Sequence, residues 1–72
     1  MTDTNAVRII IKEMGLKYSF IADKIGITPY SLQLKLDNKR EFTVTQVAKL
    51  CGLLHISSLK RRQELFFKEK VD

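Results

Sequence analysis

Residues 21–36, Ile-Ala-Asp-Lys-Ile-Gly-Ile-Thr-Pro-Tyr-Ser-Leu-Gln-Leu-Lys-Leu, constrain the fold more than any other stretch of this chain. They read as a short helix, a turn hinged on glycine and a second short helix. Ile21, Ala22 and Ile25 fall at i, i+1 and i+4, which marks one buried stripe. Ala22 is small at the point where a second helix would cross, and a larger residue would force the two axes apart. Gly26 follows the last periodic residue, where a left-handed backbone is cheap only without a Cβ. Ile27 is then expected to drop into the core beneath the turn. Thr28 can accept from the free N–H groups of the next helix, and Pro29 suits that helix's first position. Leu32 and Leu36, at i and i+4, are expected to face inward.

This order of parts is the pattern of a helix-turn-helix, in which the second helix enters the major groove of DNA. The flanking sequence supplies helices to complete a core. Val7, Ile10, Ile11 and Met14 share one face of a first helix from about Asn5 to Met14, with Ile9 off the stripe. Asp3 or Thr4 can cap its start and Gly15 can end it. The motif's helices are expected near Tyr18–Ile25 and Pro29–Leu36, followed by a polar loop over 37–41 from which Phe42 returns to the core. Thr43-Val44-Thr45-Gln46 is a capping-box sequence that opens a fourth helix. Val44, Val47, Ala48 and Cys51 give that helix a buried stripe, and Gly52 a stop. Leu53-Leu54-His55-Ile56 should cross back over the core. Ser57 or Ser58 can cap a fifth helix through about Phe66, with Leu59 and Phe66 seven apart. The tail 67–72 alternates like an edge strand, yet it can equally extend the fifth helix. The expected fold is all-α: a single domain over 1–72, a compact bundle of about five short helices.

Composition narrows the function classes. Hydrophobic content of 44% with 29% charged residues belongs to a soluble globular protein, and no apolar run approaches a membrane span. The opening Met1-Thr2-Asp3-Thr4 has no secretory character, so a cytoplasmic setting and no membrane partner are expected. A single cysteine, Cys51, excludes an internal disulfide. Cys51 and His55 stand alone rather than within a metal-ligand set, so no metal and no cofactor is expected. No nucleophile with a base and no Gly-rich phosphate cradle occurs, which argues against an enzyme. Thirteen Lys and Arg against 8 Asp and Glu leave a net charge of +5, which favours polyanionic partners. Of the basic groups, Lys60-Arg61-Arg62 read as a solvated helix face.

The residues of the motif resemble the Cro/C1-type helix-turn-helix family, and the resemblance covers most of the chain. Gly26-Ile27-Thr28, Leu32 to Thr43 and the ending Phe66-Phe67…Lys70-Val71 carry a closer likeness to one group. These are the small Cro-like modulator-of-repression (antirepressor) proteins of lactococcal temperate phages. The resemblance implies a transcriptional regulator at a lysis–lysogeny switch in the host cell's cytoplasm, acting with or against the phage repressor. Two departures stand out. Such domains often open the first motif helix with Thr and Gln or Glu, where this chain has Lys17 and Tyr18, and they often carry Arg or Gln early in the recognition helix, where it has Pro29.

Turning the second motif helix by about 100° per residue, with Leu32 and Leu36 inward, points Tyr30 and Leu34 outward. Gln33 and Asp37 lie beside them, and Ser31 and Lys35 on the flank. For DNA, Gln33 is the best direct reader because its amide can pair with adenine, while Tyr30 and Leu34 can touch thymine methyls. Phosphate contacts would come from Lys17, Ser19, Thr28 and Thr43 at helix starts, with Lys35, Lys39 and Arg40 adding charge. Asp37 would need pairing with Lys39 or Arg40. The same face suits a protein, since Tyr30 and Leu34 form an apolar anchor flanked by Gln33 and Lys35. Two functions therefore stay open, and they can coexist: an antirepressor that binds the cognate repressor, with contact to DNA left open, and an operator-binding repressor that sits on double-stranded DNA as a homodimer.

Overall fold

Helix starts in this chain are marked by side chains that take over a free backbone N–H, and the turns between helices by residues that tolerate a left-handed backbone. In the computed structural model, which describes residues 2–67, α1 spans Thr4–Met14, α2 Tyr18–Ile25, α3 Pro29–Leu36, α4 Val44–Leu53 and α5 Leu59–Phe66. Asp3 Oδ1 accepts the Ala6 N–H at 3.2 Å, Thr28 Oγ1 the Ser31 N–H at 3.0 Å and Ser58 Oγ the Arg61 N–H at 3.3 Å. The capping box at α4 is complete: Thr43 Oγ1 accepts from Gln46 N at 3.2 Å, and Gln46 Oε1 from Thr43 N at 3.1 Å. Caps of this kind each stabilise a helix by about 1 kcal/mol. The exception is α2, whose N-cap Lys17 makes no side-chain cap.

Gly15 (φ 69°) and Gly26 (φ 82°) end α1 and α2 in the left-handed conformation. The stop expected at Gly52 is not there, because α4 runs through it to Leu53 and the left-handed residue is His55, at φ 58°. Leu54, which caps the end of α4 one residue further on, is buried, and Ile56 N–H then closes on Cys51 O at 2.8 Å. Asn38, at φ 60°, plays the same part after α3, with Lys39 N–H donating to Leu34 O at 2.9 Å. Asn and His are among the residues that enter this region most readily.

The core is drawn from every helix: Val7 and Ile11, Ile21, Ala22 and Ile25, Leu32 and Leu36, Val47, Leu50 and Cys51, then Leu54, Ile56, Leu65 and Phe66. Ile10, Ile27 and Phe42 pack against it from half-buried positions. Ile9 is exposed, as its place off the α1 stripe requires, and Met14 in the last turn, expected on the buried stripe, is 37% exposed. α4 is rotated from the expected face. Its buried set is Val47, Leu50, Cys51 and then Leu54, while Val44 and Ala48 face solvent. Both sets have helical spacing, and burial of two leucines outweighs burial of a valine and an alanine. α5 likewise buries Leu65 and Phe66 and leaves Leu59 exposed, because its last turn is the part held against the start of α1, where Asp3 N–H donates to Leu65 O. Phe42 meets the edge of Phe66 at 5.9 Å between ring centroids. α2 packs against both α3 and α4, which gives the helix-turn-helix pair its platform. Among the described residues there is no strand, and no helix is long and apolar enough to cross a membrane. The strand-or-helix alternatives for the tail concern 68–72, which lie outside the described residues.

Candidate functional site

With Leu32 and Leu36 buried at the α2–α3 crossing, α3 turns Tyr30 outward to 73% exposure. Leu34, expected to point as far out, is only half-buried. Pro29 and the Thr28 cap start α3 where they do, and so fix which residues of this short helix reach solvent.

Lys35 departs most from expectation. It is 7% exposed rather than on the solvated flank. Its Nζ donates to Glu41 O at 2.8 Å and lies 5.8 Å from the Phe42 ring centroid. The loop after α3 folds back over the helix and offers this carbonyl, a partner no helical wheel contains. The ammonium that was to meet a phosphate or a partner is thus spoken for inside the fold.

Gln33 is exposed, and its amide is engaged: Nε2 lies 3.2 Å from both Asp37 Oδ1 and Asp37 Oδ2. Asp37 is paired, but not with Lys39 or Arg40. Its partner is Arg8 of α1, whose Nη2 reaches Oδ1 at 2.6 Å. Arg8 Nη1 also donates to Tyr18 Oη at 3.2 Å. A second tie joins α1 to the turn after α3, Asn38 Nδ2 to Thr4 Oγ1 at 3.3 Å. Arg8 and Tyr18 belong to this surface and were not among the expected site residues. The one available signal was an arginine beside the buried Val7, on a helix whose other cation, Lys12, is exposed. The Arg8–Asp37 pair is half-exposed and contributes no more than about 1 kcal/mol; its consequence is orientation.

The expected phosphate contacts are spread over several elements. Lys17 and Ser19 are exposed at the start of α2, where no side chain caps the helix. Thr28 and Thr43 are exposed too, with hydroxyls that already accept capping N–H groups. Lys39 and Arg40 are exposed in the turn after Asn38, and among the described residues neither forms an ion pair. On α2, Phe20 is 43% exposed with Lys24 Nζ 5.5 Å from its ring centroid.

Away from α3, Cys51, Gly52, His55, Ile56, Ser57 and Arg62 line a shallow depression. Burial pushes the Cys51 thiol above its ordinary value, and the Arg62 charge pulls it only partly back. A protonated thiol with no solvent exposure is a packing group and a poor nucleophile. Arg62 Nε is bonded to Ile56 O at 3.2 Å and holds the α4–α5 connection.

No protein-family model, curated protein or solved structure matches this chain.

Proposed function

We propose that this chain is a Cro-like transcriptional regulator of a phage lysis–lysogeny switch, acting in the host cytoplasm as an antirepressor that binds the cognate repressor. The observation that carries this reading is the character of the α3 outer face. It presents Tyr30 at 73% exposure, while the helix's one cation, Lys35, is turned into the fold. A helix seated in the major groove runs between two rails of phosphate and gains most of its affinity from cations. This face instead offers a ring, half-buried Leu34 and the exposed carboxylate of Asp37. Tyr30 and Leu34 form the centre of a protein contact, with Gln33 at its rim. The repressor's own helix-turn-helix surface is the target, since covering it competes directly with operator DNA.

The second reading is an operator-binding repressor acting as a dimer. It is favoured by the net charge of +5 and by the uncapped start of α2 with Lys17 and Ser19 beside it. Gel filtration separates the two. The antirepressor co-elutes with the repressor of its own switch region and releases that repressor from operator DNA. A dimer that co-elutes with operator DNA alone, in a salt-sensitive way, supports the second reading and overturns the first.

A further inference from the structure

Lys60, Arg61 and Arg62 follow one another in the first half of α5, yet only the first two are exposed. Arg62 stands three residues before the buried Leu65 and four before the buried Phe66, so it shares their side of the helix and is half-buried. Its Nε donates to Ile56 O at 3.2 Å, which sets the plane of the guanidinium. Both Nη groups are left without a protein partner among the described residues. The carbonyl is presented to Arg62 because His55, at φ 58°, turns the chain back after α4, and Ile56 N–H closes on Cys51 O at 2.8 Å. The same turn brings His55 and Ser57, both exposed, into the lining of the depression beside Arg62. Its volume is about 320 Å³, close to the smallest pockets that hold ligands. Gly52 and the buried Cys51 and Ile56 complete the lining, and none of its six residues is acidic. The Arg62 charge acts on the Cys51 thiol, which burial keeps protonated, so the guanidinium lies against a neutral floor.

We propose that this depression binds the oxyanion group of a small molecule, a phosphate or a carboxylate, with Arg62 as the principal donor. A guanidinium is a planar fork matched to two oxygens of such a group, and here both Nη groups are left for the ligand. The Ser57 hydroxyl and a ring N–H of His55 supply further donors from the same lining. Because the bond to Ile56 O already orders the arginine, little side-chain freedom is lost when an anion arrives. The net charge of +5 raises the local concentration of anions. The depression lies on the α4–α5 connection, away from α3, so this site and the partner-binding reading are independent and neither fails with the other.

Amide NMR of the isotope-labelled full chain provides the test. Inorganic phosphate and acetate are titrated separately, with sodium chloride holding the ionic strength constant. Saturable shifts are expected at residues 55–58 and 62 and at the Arg62 side-chain Nε–H. Arg62→Gln should bind about tenfold more weakly or less tightly still, as loss of a charge-assisted pair implies. Two further variants leave the Arg62 bond to Ile56 O in place. Ser57→Ala removes an exposed hydroxyl that takes no part in the α5 cap, and His55→Asn removes the imidazole while keeping a residue that accepts the left-handed backbone. Each should weaken binding about fivefold, the worth of one hydrogen bond. If a thermal melt shows that Arg62→Gln loosens the fold, these two decide. Phosphate and acetate affinities that stay at the wild-type value in the folded variants overturn the site. Shifts that never saturate, or that spread over the lysines of every helix, overturn it as well. A response to duplex DNA at these residues, with none to free phosphate or acetate, assigns Arg62 to a nucleic-acid backbone and overturns a small-molecule site.

Discussion

Lys35→Ala should destabilise the fold, although lysine on a short amphipathic helix is ordinarily replaced without cost. Lys35 is 7% exposed, so truncation strips three methylenes from a packed position at about 0.8 kcal/mol each. The ammonium also gives up its bond to Glu41 O at 2.8 Å and its place 5.8 Å from the Phe42 ring centroid. The bond is discounted because Glu41 is exposed and its carbonyl recovers water. Together these predict a loss of about 2–3 kcal/mol, a large part of what a domain of this size commands. Lys35→Met keeps the stem and removes the charge, so it should lie within about 1 kcal/mol of wild type. Urea titration followed by far-ultraviolet circular dichroism measures both. The reasoning fails if Lys35→Ala stays within about 0.5 kcal/mol of wild type, the range of an ordinary surface change.

The glycines offer a paired test. Gly26→Ala meets no atom within 4 Å but must hold φ 82°, so it should cost about 1 kcal/mol through backbone strain alone. Gly52→Ala also meets nothing within 4 Å and sits inside α4, so it should stabilise by about 0.5–1 kcal/mol; equal thermal shifts in the two variants would contradict the assignment. Ala22, fully buried at the α2–α3 crossing, should not accept phenylalanine without a loss of about 1–3 kcal/mol in a thermal melt. Burial raises the Cys51 thiol above 9.0, so the folded chain keeps this proton after the unfolded chain has lost it. Stability from this source is complete below that value and declines as pH climbs past it. The decline should be absent from the alkaline urea series of Cys51→Ala.

The helix-turn-helix pair was legible because its determinants are local. Gly26, Thr28 and Pro29 set the bounds of α2 and α3 within a few residues of where they act, and Ile21, Ala22, Leu32 and Leu36 carry a complete period. The face of α4 was not legible, since two sets of helical spacing share Val47 and Cys51 and only the surrounding helices decide between them. The polar surface was hidden for a related reason. Arg8 meets Asp37 across 29 positions of sequence, and Lys35 finds a loop carbonyl that exists only once Phe42 has docked. A helical wheel reports which residues leave the core, and it says nothing about what else the chain brings to meet them.

The central claim is that the outer face of α3 binds a protein, with Tyr30 at the centre. Calorimetric titration of the proposed repressor partner with wild type and with Tyr30→Ala tests it most directly. Tyr30 is 73% exposed, so its truncation should leave the thermal melt unchanged, while loss of a central aromatic anchor should weaken the complex by about 2 kcal/mol or more. Equal affinities for the repressor, from two equally folded proteins, would contradict the account.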